Sequence, residues 1–129
     1  MAYDSPNICA TFIAGESLTA AQYKFMKLNG TDNTVVICAA TTDIPIGVLQ
    51  NNPASGGAAN VCIFGLTKVQ GDADLTAGNR VGTSADGQAA IYTVADTTKH
   101  LVGHVVMGNS AAAGLATMLF IGSSTGNIT

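Results

Sequence analysis

Short apolar runs separated by turn residues set the rhythm of this chain. Val35-Val36-Ile37-Cys38, Ile46 to Gln50, Val61-Cys62-Ile63-Phe64, Ile91-Tyr92-Thr93-Val94, Val102 to Met107 and Met118 to Ile121 are all of strand length. β-Branched and aromatic residues dominate them, the types that suit a pleated, half-buried surface. Asn29-Gly30 and Asp86-Gly87 read as hairpin turns, because both residue types tolerate the positive φ that a tight reversal demands. One stretch, Leu18 to Leu28, has fair helix propensity around Ala20-Ala21 and Lys24-Phe25-Met26.

An internal repeat decides between these readings. A shift of 57 residues carries Leu18-Thr19-Ala20 onto Leu75-Thr76-Ala77, Asn29-Gly30 onto Asp86-Gly87, Asn52 onto Asn109, Gly57 onto Gly114 and Gly65 onto Gly122. A shift of 56 carries Ile46-Gly47 onto Val102-Gly103. The counterpart of the helix-like stretch, Leu75 to Gly82, holds two glycines and no helical period. The repeat therefore argues against a helix. The expected fold is all-β, a small sandwich or barrel built from two pseudo-repeated units of about 57 residues. Residues 1–11 form an N-terminal arm or first strand, and 12–129 a single β domain with repeats near 15–65 and 71–122. Cys38 falls opposite Val94 and Cys62 opposite Leu119, which assigns both thiols to core packing. Phe64 and Phe120 read as core. At His104 the alignment slips by one residue, the mark of a bulge.

Composition narrows the function. Of 129 residues only 10% are charged, against roughly 25% in ordinary domains. Ala (20), Gly (15), Thr (15) and Ser (7) fill the space that charge usually takes. A net charge of −3, five scattered basic residues and no Trp give neither a phosphate-binding surface nor a stacking platform, so no nucleic-acid partner is expected. The apolar share, 47%, is enough to fold. Met1-Ala2-Tyr3-Asp4 has no basic, apolar secretory start, and no apolar run approaches the roughly 20 residues of a membrane helix. No membrane partner is expected. Three cysteines without a C-x-x-C spacing read as reduced, buried thiols.

Catalytic chemistry is sparse. His100 and His104 lie four apart, but the stretch lacks the Glu and the helix of a zinc motif, and on a strand they would stand roughly 13 Å apart. Asp72 and Asp74 read as a polar turn rather than a cation site. No G-x-S-x-G elbow, P-loop or dinucleotide fingerprint is present. The expectation is a protein that is not an enzyme, with no catalytic residues, no metal and no cofactor.

Several segments carry a resemblance. Ile46-Gly47-Val48-Leu49, the Asn52 to Gly57 loop, Val61 to Gly65, Leu18 to Gln22, Leu75 to Asn79 and Val102-Gly103 resemble the capsid decoration (cement) proteins of tailed bacteriophages, over roughly residues 12–122. The loops hold fewer acidic residues than that family's. The resemblance implies a homo-oligomer, a trimer, that is made in the host cytoplasm and sits on the capsid exterior of the virion. There it would bind the major capsid protein and stabilise the shell. A surface poor in Lys and Glu suits such interfaces. Tyr3, Pro6 and Ile8 in the N-terminal segment, and Asn52, Pro53 and Ser55 in the loop, are the candidate partner contacts. The alternative is a carbohydrate- or receptor-binding β module of a phage fibre or surface protein, for which Tyr3, Tyr23 and Tyr92 are a thin aromatic supply.

Overall fold

A computed structural model describes residues 7–93, 95–109 and 111–122. Among these residues there is no helix. Nine strands follow one another: β1 Asn7–Ala14, β2 Phe25–Leu28, β3 Thr34–Ile37, β4 Gly47–Leu49, β5 Ala58–Gln70, β6 Arg80–Thr83, β7 Ala89–Ile91, β8 Gly103–Met107 and β9 Leu115–Phe120. They form one sheet in the order β1-β3-β2-β4-β5-β9-β8-β6-β7.

That sheet curls into two rings. The first half of β5 pairs antiparallel with β1, and β1 pairs parallel with β3, so β1-β3-β2-β4-β5 closes on itself. The second half of β5 pairs with β9 and starts the circuit β5-β9-β8-β6-β7. A parallel bridge from Gly71 to Ala89 brings the end of β5 back to β7. Closure of this kind removes open strand edges.

The registers repeat. Cys9 faces Cys62 in the first ring and Leu66 faces Leu119 in the second, each partner 57 residues further on. Met26 faces Gly47, and Val81 faces Gly103. Leu28 faces Val35, and Thr83 faces Ala89. Loops repeat too: the Ala14 N–H donates to the Gly57 carbonyl and the Gly71 N–H to the Gly114 carbonyl, both at 2.9 Å. In the same way the Tyr23 N–H donates to Leu49 and the Gly78 N–H to Val105, and both donors have positive φ.

Several local expectations need correction. The Leu18 to Leu28 stretch is turns followed by β2, because Tyr23 at φ 69° breaks any helical path. Ladder register matches Gly87 with Asn33, not with Gly30, since six residues separate Leu28 from Val35 and five separate Thr83 from Ala89. The strand expected at 91–94 is instead β7, Ala89–Ile91, and Val94 lies outside the described residues. The bulge expected at His104 falls at Val106, between Val105 and Met107.

Two apolar clusters fill the rings. Ala14, Leu18, Ala21, Met26, Val35, Leu49, Ala59 and Val61 make the first. Leu75, Val81, Ala89, Val105, Ala116, Met118 and Phe120 belong to the second, joined there by Phe25, Cys38 and Val48 from the first half of the chain. The Phe25 and Phe120 rings lie 6.2 Å apart, tilted by 44°. Neighbours such as Phe25 and Met26 are both buried because β2 has a core on each side.

Candidate interaction surface

The polar side chains mostly serve the backbone. Asp96 organises the segment before β8: its Oδ1 accepts from the N–H groups of Thr98 and Lys99 and from the Thr98 hydroxyl, and its Oδ2 from the Lys99 ammonium at 2.9 Å. Burial opposes ionisation of Asp96, but the hydrogen bonds from Lys99 and Thr98 outweigh it and hold the carboxyl well below its ordinary range. Asp43 behaves likewise. Burial opposes its charge, and the N–H of Ala39, the Lys27 ammonium and the N–H of Ala40 prevail, so its pKa is lowered. Asp72 and Asp74 are exposed around the turn after β5.

His104 is exposed on β8, opposite Arg80 and Leu119. His100 is half-buried in the preceding segment, where its Nδ1 has no hydrogen-bond partner. Among the described residues, no group of three or more His, Cys, Asp or Glu is placed to hold a metal ion, and no helix is long and apolar enough to cross a membrane. Burial pushes the Cys38 thiol up to about 12, with nearby Asp43 adding to the effect. Cys62 is buried as expected, whereas Cys9 is exposed.

The candidate contact residues do not form one patch. Tyr3 and Pro6 lie outside the described residues. Ile8 is 59% exposed near the start of β1, opposite Phe64. Asn52, Pro53 and Ser55 lie in the β4–β5 loop, at the other end of β1, roughly 20 Å away by strand rise. That loop is tied down. The Pro53 carbonyl accepts the Leu18 N–H, and the Gly56 N–H donates to Ala14. Asn52 and Ser55 are exposed on it.

The structure adds apolar surface next to Ile8. Phe64, expected in the core, is 50% exposed, whereas Phe120 is buried. A bulge explains the difference. Ile8 pairs with Phe64 and Cys9 with Cys62, so Ile63 is left without a partner on β1. The extra residue turns Phe64 outward beside Ile8. Ile121 follows Phe120, whose partner on β5 is Gly65, and is 47% exposed. Ile8 and its ladder partner Phe64, with Ile63 beside them in β5 and Ile121 just past β9, are exposed apolar residues near the place where the two rings meet. Isolated apolar residues on a surface are ordinary, but a contiguous group marks an interaction site. The run Val61-Cys62-Ile63-Phe64 contained the signal, since four apolar residues on one strand cannot all face one core.

No family model matches the chain, and no curated protein does. Among solved structures, it is similar to the N base of the head fiber protein gp8.5 of bacteriophage phi29, with a TM-score of 0.66 over 91% of this chain and 97% of that one. The two chains share a fold. At 20% identity the likeness is one of architecture, and it covers both rings rather than one.

Proposed function

We propose that the protein is a structural component of a phage virion that binds the outer surface of the assembled capsid and stabilises it. The fold shared with a phage head-fiber base, over nearly the whole of both chains, supports this reading most strongly. The apolar surface at Ile8, Ile63, Phe64 and Ile121 gives it a means of attachment to the major capsid protein. A protein that binds the assembled shell but not its separated subunits stabilises the shell by linkage, and many sites on one particle multiply the effect. The trimer belongs to the same proposal, and sedimentation velocity on the isolated protein tests it. A second reading has a specific observation behind it: the neighbour is the N base of a head fiber protein, which favours a module that seats a fibre on the head.

Co-sedimentation with expanded capsids is the deciding experiment. Saturable binding with a raised capsid melting temperature is the cement outcome. Saturable binding with no thermal effect favours the fibre seat, and no binding at micromolar protein overturns both. Ile8→Ser combined with Phe64→Ser is expected to weaken binding by about 30-fold, the scale of losing an interface hot spot, with little change in monomer stability because both side chains are already exposed.

A further inference from the structure

β1 and β5 set two thiols side by side. Cys9 and Cys62 are direct partners in the antiparallel ladder. Residues so placed project to the same side of the sheet with Cβ atoms about 4.5–5.5 Å apart, close to the roughly 3.5–4.5 Å that a disulfide spans. Their thiols are near enough to influence each other. The Cys9 thiol donates to Asn7 Oδ1 at 3.5 Å and the Cys62 thiol to the Phe64 carbonyl at 3.6 Å, which keeps both on the bulged side of the pair. Ile63, unpaired in the adjacent bulge, leaves the backbone slack for the remaining approach. Cys38 lies apart, buried in the second cluster.

We propose that Cys9 and Cys62 are a disulfide-forming pair that latches β1 onto β5 when the protein meets a peroxide. The two positions differ in access: Cys9 is exposed and Cys62 buried, so Cys9 meets the oxidant first. Its sulfur attacks the peroxide O–O bond, giving a sulfenic acid and one water. The Cys62 sulfur then attacks the Cys9 sulfur, the S–S bond forms, and the sulfenic oxygen leaves as a second water. Two thiols and one peroxide become one disulfide and two waters. Burial pushes the Cys62 thiol up to about 11, so this second step accelerates as pH rises.

The test uses the full chain, reduced, freed of reductant, and treated with one equivalent of hydrogen peroxide at mildly alkaline pH. Intact mass is expected to fall by two hydrogens, and a non-reducing peptide map to show Cys9 joined to Cys62 with Cys38 free. The melting temperature rises by several degrees and returns on adding dithiothreitol. Cys9→Ser, a change at an exposed position, abolishes the cross-link and the thermal shift. Peroxide that leaves all three thiols free, drives Cys9 to sulfinic acid, or yields only covalent dimers through Cys9 overturns the proposal.

Discussion

Gly47 and Gly103 occupy matching places in the two rings, each on the strand that lies across from a neighbour's carbonyl. A Cβ at Gly47 would run into the Cys62 carbonyl, and one at Gly103 into the Leu119 carbonyl. Backbone cannot swing aside as a flexible side chain can. Gly47→Ala or Gly103→Ala is therefore expected to cost about 2–3 kcal/mol in urea denaturation. Gly30→Ala meets nothing within 4 Å and suffers only from its positive φ, so its cost is about 1 kcal/mol. Asp96 gives a residue-scale prediction in pH. Its folded pKa is depressed below the ordinary 3.8, so its stabilisation is complete above that value and drains away as pH falls through the folded one. Asp96→Asn is expected to melt below the parent at neutral pH, and the gap to close on acidification. A gap that stays constant with pH would show that charge is not the cause.

At the scale of elements, the legibility of the sequence followed burial. Strands with one face in a core and one in solvent, such as β1, show mixed burial along their length, and β9 and β8 were visible as apolar runs. β2 was not visible, because Phe25 serves one cluster and Met26 the other, so it shows no alternation, and the helix propensity around Ala20-Ala21 and Lys24-Phe25-Met26 gives way to turns and β2. β5 showed only its apolar first half. In its second half, Leu66 to Gln70, the polar residues Thr67, Lys68 and Gln70 interrupt Leu66 and Val69, so there is no apolar run to find. The outward Phe64 was misread for a related reason, since a bulge is a property of pairing and not of one strand. β1 also yields a test. It supplies the parallel partner of β3 and the antiparallel partner of β5, so a chain lacking residues 1–14 bares two strand edges. It is expected to aggregate, as read by light scattering at concentrations where the full chain stays clear. A soluble, folded truncate would show that the ring does not need β1.

The whole molecule is two rings that cannot be pulled apart by cutting a linker. β5 is a wall of both, and Phe25, Cys38 and Val48 extend from the first half of the chain into the second cluster. Phe25→Ala is expected to cost about 3–5 kcal/mol, and the transition is expected to stay single, with far-ultraviolet and near-ultraviolet signals superimposed. Two separated transitions would show that the rings unfold independently. The overlap also explains why a repeat legible as a shift of about 57 residues did not announce two domains: the second copy begins inside the last strand of the first.

The shared strand has a kinetic consequence as well. By the time Gln70 is made, every strand of the first ring exists, and β1 can close it against the first half of β5. The second half of β5 then stands with its hydrogen-bonding partner, β9, still some 45 residues away in the chain. Contacts this distant in sequence form slowly. During that interval the nascent protein displays a ready-made template strand, and another copy's β9 can fill it as well as its own. Dilution during refolding should therefore raise the yield of monomeric rings, for the same strand that joins the two halves of one molecule can join two molecules.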